Sequence, residues 1–362
     1  MSTPTVPVQT DAPPVPLHGG LRLLRNLVPY VLALVLAFLV SGVVMAVLGY
    51  DAVGAFTTIL STSFKTTFGF TETLTKWVTV VLLALAFTIP LAVGRFNIGG
   101  EGQLLVGGTA AAGVGIVYAD LPAALLLPMV LLAGVLAGLV WAGIAALLMS
   151  RFGVNEILST VLLNFVSFQV LDYAATEVWA DPAAGVAATQ TVGESAELPV
   201  LGGPPGVHAG ILLAVAVSLA SIVVTRRTAA GFELRAAGTN PRAAAINGIR
   251  VGRVAVVALV VGGALAGLAG AIEVSGVHGR AIEGMQANYL LLGIIVGLIA
   301  RGNALWVPVV AFGISILEVG ASSMQRTVGV PAEMVLIIEA LILIFLLLSD
   351  VIAGRIARRA VA

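Results

Sequence analysis

Ten stretches of predominantly apolar residues follow one another along this chain, near 27–48, 75–94, 100–119, 122–149, 156–175, 208–225, 254–276, 285–300, 303–323 and 331–349. Runs of roughly 20 such residues fit a helix crossing a bilayer, where the backbone must satisfy its own hydrogen bonds. The expected fold is therefore an all-α polytopic membrane protein of about ten transmembrane helices. Composition points the same way: 59% of the 362 residues are hydrophobic and 10% charged, too little polar surface to cover a soluble globule of that size. The first run is too long for a signal-peptide core and no convincing small-residue cleavage site follows it, so it reads as an uncleaved first helix. Residues 1–20, rich in proline and small polar residues, have almost nothing to bury and read as a disordered cytoplasmic tail. That leaves 21–353 as the transmembrane domain and 354–362 as a basic cytoplasmic tail.

The distribution of charge sets the orientation, since Lys and Arg gather on the cytoplasmic side of a membrane. With the N-terminus inside, the inner segments hold 14 of the 18 basic residues, and only Lys65, Lys76, Arg280 and Arg326 fall outside. The outer segments instead collect acids, among them Asp51, Glu72, Asp120, Asp181, Glu194 and Glu197. Removing one helix midway would scramble this pattern, which supports the count of ten. Two long loops then differ in chemistry. Residues 176–207 are acidic, rich in glycine and proline, and external, suited to a lid or a docking surface. Residues 226–253 carry six arginines and are internal. They serve as a charge anchor or, since Thr239 or Asn240 can cap a helix that starts at Pro241 and stops at Gly248, as a short helix that meets a partner.

Several chemistries are absent. There is no cysteine, and the three histidines (His18, His208, His278) have no ligand spacing, so neither a thiolate nor a metal centre is expected. No phosphate-binding GxxxxGK[ST] loop occurs, so no nucleotide is expected to be hydrolysed by this chain and no cofactor is expected in it.

The most informative string is GRFNIGGEGQLLVGG, 94–108, between two apolar runs. Asn97, Glu101 and Gln103 at bilayer depth are costly unless they face protein or water, and the glycines between them loosen the backbone. The string reads either as a broken helix lining a pathway or as a cytoplasmic turn, with Arg95 at the headgroups and Glu101 favourably placed at a helix start. A loose counterpart, GRAIEGMQANYLLLGI at 279–294, carries Glu283, Gln286 and Asn288. ALLLPMVLLAG (124–134) likewise matches ALWVPVVAFGI (304–314). Both offsets correspond to five helices, an odd number, so equivalent helices would run in opposite directions as two inverted five-helix halves.

Three strings, FNIGGEGQ (96–103), NEILSTVLLNF (155–165) and LRAAGTNPRAAAINGI (234–249), resemble signatures of ATP-binding cassette (ABC) importer permeases for nucleosides and simple sugars, a group related to branched-chain amino acid permeases. The resemblance runs over nearly the whole chain, and FNIGGEGQ is similar to the nucleoside branch. It implies a permease subunit working with a second permease, two cytoplasmic ATPase subunits that use the ATP, and an extracytoplasmic substrate-binding lipoprotein. The ligand would be a small nucleoside or sugar, the setting the plasma membrane, and no nucleic acid is involved. Carried over by residue, Arg235, Gly238, Asn240, Arg242 and Gly248 would face the ATPase. Asn97, Glu101, Gln103 and Asn164 would lie near the path, with Ser159 a further candidate. Phe96 or Phe165 would suit a flat base, and either ring is equally at home in lipid or core. An ion-coupled transporter using Glu101, Glu318 and Glu339, or an ABC permease for a branched-chain amino acid, remains the alternative. An intramembrane enzyme would need a nucleophile and base, which the sequence does not offer.

Overall fold

The computed structural model describes residues 19–203 and 205–359, with side chains described for 31–203 and 205–349. The tail expected over 1–20 falls outside the described residues as far as position 18, and the last three residues of the expected C-terminal tail fall outside them as well. The regular structure of the described residues is helical apart from a two-stranded ribbon and two isolated β-bridges. In order the helices are α1 (Gly19–Val47), α2 (Ala52–Lys65), α3 (Thr67–Leu91), α4 (Gly100–Val117), α5 (Ala123–Phe152), α6 (Glu156–Tyr173), α7 (Gly210–Arg227), α8 (Ala229–Thr239), α9 (Pro241–Ile246), α10 (Val251–Glu273), α11 (Tyr289–Ile299), α12 (Val307–Val328) and α13 (Met334–Arg359). α6 and α10 each continue into one π-helical turn, Ala174–Val178 and Val274–His278. The ribbon pairs β1 (Val200–Leu201) antiparallel to β2 (Val207–His208), with Val200 opposite His208.

All ten apolar runs are helical, and three further helices lie between them. α2 is absent from the sequence reading because its 14 residues include five Ser or Thr and cannot span a bilayer. Asp51 caps it, accepting from the Gly54 amide at 2.9 Å, and Ala55, Ile59 and Ser63 form its buried face. α8 and α9 divide the arginine-rich loop. The chain also enters helix earlier than expected, at Gly19 in α1 and Thr67 in α3, where Thr66 supplies the cap.

α3 and α10 form the centre. Most of α3 from Trp77 to Thr88 is buried, and α10 buries a continuous stretch from Ala269 to Glu273. α10 packs on α4 and α5, while α3 packs on α11 and α12. Exchanging the two halves exchanges these pairs, as two repeats of five require. Small residues hold the α4–α5–α10 contact: a Cβ on Gly267 would lie 2.1 Å from the Gly134 carbonyl oxygen, and one on Gly138 2.3 Å from that of Gly263. Backbone-to-backbone approach of this kind is how apolar helices associate where lipid removes the hydrophobic driving force between them.

The two long loops sit at opposite ends of α4. Near its start, α8 meets the last turn of α3, where a Cβ on Gly238 would touch the Ala92 carbonyl. In its last turn, the Gly115 carbonyl accepts from the Gly193 amide of the acidic loop at 3.2 Å.

Candidate functional site

The connection from α3 to α4 is the molecule's main polar feature. Pro90 and Gly94, which takes φ +74°, end α3, and residues 95–99 run without helix before α4 begins. Asn97 and Gln103 close this break by a reciprocal amide pair, each Nδ2 or Nε2 donating to the other's oxygen at 2.9 Å. Asn97 also donates to the Ala86 carbonyl (3.3 Å) and accepts from the Gly99 amide (3.2 Å). Both side chains are 1% exposed. Asn164 of α6 completes the knot by accepting from the Gly102 amide at 2.9 Å and donating to the Ile98 carbonyl at 2.8 Å. The glycines leave room for these amides, since a Cβ on Gly102 would stand 2.8 Å from the Asn164 oxygen.

The string NEILSTVLLNF is the other half of the same device. Asn155 caps α6 by accepting from the Ile157 amide at 2.8 Å, and Glu156 pairs with Arg95 at 3.3 Å. Ser159 and Thr160 donate back to the Glu156 carbonyl at 3.2 and 2.7 Å, so the Ser159 hydroxyl is spent on its own helix. Asn97, Gln103 and Asn164 are thus brought together, buried and bonded to one another. Glu101 stands beside them in the first turn of α4, half-buried and with no ion pair among the described residues. Phe96 is 37% exposed and lies against Phe87 with ring centroids 6.2 Å apart.

Glu283 and Asn288 are elsewhere. They lie at the other end of the bundle, in the irregular chain between the turn after α10 and the start of α11, and both are exposed. This second break is tied to the acidic loop: Arg280 binds Asp181 at 2.6 Å, Thr189 and Ala281 are joined by two hydrogen bonds, and the Glu283 amide donates to the Ala187 carbonyl at 2.9 Å. The two paired strings, both candidates for the path, therefore fall apart into two groups: Phe96, Asn97, Glu101 and Gln103 with Asn164 at the α3–α4 break, and Glu283 and Asn288 at the other end.

Two features are anticipated only in part by the sequence reading, which names Phe165, Glu318 and Glu339 singly. First, α6 presents an outward face on which Phe165 and Tyr173, each 63% exposed, flank exposed Gln169 and Asp172. Positions 165, 169, 172 and 173 share one side of a helix. An amide and a carboxylate exposed on a membrane-spanning helix need something other than lipid to face. Second, a charged cluster fills the end near the acidic loop. Lys76 of α3 meets Glu318 of α12 at 3.6 Å and lies 4.6 Å from the centroid of the Tyr289 ring. Glu339 of α13 is fully buried, with neither carboxyl oxygen hydrogen-bonded. Glu273, 1% exposed, accepts from Thr79 and lies 3.2 Å from His278. The signal for this cluster was in the sequence, as ionisable residues inside apolar runs, but not which of them pair.

At the arginine-rich end, Asn240 caps α9 by accepting from the Ala243 amide at 3.0 Å, Pro241 occupies its first position, and Gly248 takes φ +85° beyond it. Arg235 and Arg242 are exposed, and Ile246 is 86% exposed. Gly238 is used within the chain, against Ala92.

A helical bundle with polar breaks in its central helices and a basic, solvent-facing helical elbow defines an integral-membrane transport subunit. The chain belongs to the family described as branched-chain amino acid transport system, permease component, which matches residues 69–347. It is 37% identical over 330 residues to the glucose ABC transporter permease protein TsgB13 of Haloferax volcanii, covering 88% of this chain and 87% of that protein. It is 33% identical to the guanosine ABC transporter permease protein NupP of Bacillus subtilis over 90% of this chain and 93% of that one. The nucleoside ABC transporter permease protein NupB of Lactococcus lactis is 26% identical over 91% and 92%. Such permeases are transport subunits and not enzymes, working with separate ATPase and substrate-binding subunits.

Proposed function

We propose that this chain forms the membrane path of an importer for nucleosides, passing solute between itself and a second permease subunit along the outward face of α6. The observation that carries this reading is the stripe of Phe165, Gln169, Asp172 and Tyr173, exposed on a membrane-spanning helix. A nucleoside is neutral, with a flat base and a hydroxyl-rich pentose. Aromatic faces take the base and an amide takes the hydroxyls, with no need of a charged clamp. The permeases named for guanosine and nucleosides support this substrate class. The glucose permease, at 37% identity, supports a simple sugar as the second reading.

The acidic-loop end faces outward and receives solute from a substrate-binding lipoprotein. The arginine-rich end faces the cytoplasm, where α9 seats in a groove of the ATPase through Arg242 and Ile246. ATP binding moves that elbow, and the permease pair alternates between its two openings. The amide knot of Asn97, Gln103 and Asn164 fixes α6 to the α3–α4 break, so that it positions the path-lining face; Glu101 stands at the inner mouth.

Uptake of labelled guanosine, adenosine and glucose into vesicles carrying the reconstituted complex tests the reading. ATP-dependent nucleoside uptake is expected. Phe165→Ala and Gln169→Leu should each lower it at least tenfold, about 1.4 kcal/mol, with assembly intact. Uptake of glucose but no nucleoside would shift the assignment to sugars, and normal uptake by both variants would reject the α6 path.

A further inference from the structure

At the arginine-rich end a groove of about 620 Å³ opens between α7 and α10, and nothing in the proposed transport cycle uses it. One helical face of α7 (Val217, Ser221, Val224) and one of α10 (Val254, Val257, Val261) form its walls. Ile89 of α3 contributes to the lining, and α8 adds Ala230 and Leu234. These walls are apolar yet open: Val224, Val257 and Val261 are 46%, 52% and 39% exposed. Of the two hydroxyls in the lining, that of Thr225 is already spent on the Ser221 carbonyl at 2.7 Å, which leaves that of Ser221. A polyhydroxylated solute would find too few partners along these walls and would strand most of its own hydroxyls.

The mouth is different. Arg250 and Arg253 line it, and among the described residues neither forms an ion pair. They flank the first turn of α10, a helix of 23 residues whose start carries no side-chain cap, so its dipole adds to their charge. Glu233 of α8 is the only carboxylate in the lining, which leaves the mouth with a net charge of +1. From Arg253 to Leu265 the groove runs about 18 Å along α10, against about 15 Å for one leaflet of a bilayer.

We propose that this groove is a binding site for an anionic phospholipid, with an acyl chain between α7 and α10 and the phosphate at Arg250 and Arg253. One charge at the mouth matches one phosphodiester, and the apolar depth matches one chain. Such a lipid also props α8, and with it the α8–α9 elbow, against the ends of α7 and α10. The site selects by headgroup, because a zwitterionic lipid fills the same groove without supplying net charge to the arginines.

Native mass spectrometry of the assembled transporter, released from micelles holding equal phosphatidylglycerol and phosphatidylcholine, reads occupancy directly. One phosphatidylglycerol per copy of this chain is expected, preferred by about fivefold from the single net positive charge at the mouth. Arg250→Gln with Arg253→Gln should abolish that preference, and Val257→Trp should expel either lipid. Glu233→Gln should strengthen the preference. Arg226→Gln with Arg227→Gln, which removes equal charge from the neighbouring surface, should leave it unchanged. Equal retention of the two lipids by the unaltered chain, a preference that survives loss of Arg250 and Arg253, or equal loss in the Arg226 and Arg227 variant would overturn the proposal. So would glycerol phosphate competing as well as the intact lipid, which would make the site one for free anions.

Discussion

Asn164 is worth more than its size suggests, because it is the partner of two backbone groups beyond its own helix, one in the first turn of α4 and one in the break before it. Replacing it with Leu strands the Gly102 amide and the Ile98 carbonyl, at about 1–3 kcal/mol for each group left unpaired. Asn164→Leu should therefore lower the melting temperature of the purified chain by several degrees, and a melting temperature equal to that of the parent would show the knot to be incidental. His208 makes a prediction of a different kind. It is 4% exposed, neither ring nitrogen has a hydrogen-bond partner, and the ring packs beside Gly276. Burial holds its imidazole below the ordinary value of 6.5, with the charge of Glu273 opposing that shift. The folded chain thus binds fewer protons than the unfolded one below about pH 6.5, so stability falls as pH drops through that value and is unaffected well above it. Thermal denaturation between pH 8 and 5 should show this decline, and His208→Gln should flatten it. A slope that the substitution leaves untouched would assign the acid sensitivity to other groups.

Among the elements, the α8–α9 elbow separates two kinds of tight contact. Arg242 and Ile246 are exposed on α9. Arg242→Glu with Ile246→Asp should release the ATPase subunit on purification, or uncouple its hydrolysis from substrate, with the melting temperature of the chain unchanged. Gly238→Trp should do the opposite first, destabilising the chain itself, because its Cβ alone would sit 2.0 Å from the Ala92 carbonyl. A stable Gly238→Trp chain would contradict this packing. The same elements show what a sequence makes legible. Runs of 20 apolar residues announce themselves, and the capping of α9 by Asn240 and its stop at Gly248 follow from local backbone chemistry. α2 was illegible because a short helix rich in Ser and Thr owes its existence to packing on α12. α8 was hidden because glycines at 231 and 238, which look like loop residues, are there for close approach. The sequence marks Asn97 and Gln103 as path or turn residues and, by resemblance, Asn164 as a path residue, but a polar side chain facing a cavity and one facing another amide have the same sequence pattern. Only the fold distinguishes them.

For the whole molecule, sidedness is open to a direct test, since the chain contains no cysteine of its own. Val186 and Ala245 are exposed at opposite ends, on the acidic loop and on α9. In intact cells an impermeant thiol reagent should label Val186→Cys and spare Ala245→Cys, and labelling of Ala245→Cys alone would invert the topology. The glycine contacts join α4, α5 and α10 into one unit, and α6 is attached to that unit through the neutral amide knot and the Arg95–Glu156 pair. A displacement that loosens α6 exchanges uncharged amide bonds at the knot, so the knot itself transfers no net charge through the electric field of the membrane. A charge crossing that field is worth about 2.3 kcal/mol per 100 mV, and the charges that α6 carries are Glu156 and Asp172. Any response of α6 to membrane potential should thus come from these two carboxylates and not from the amides that hold it.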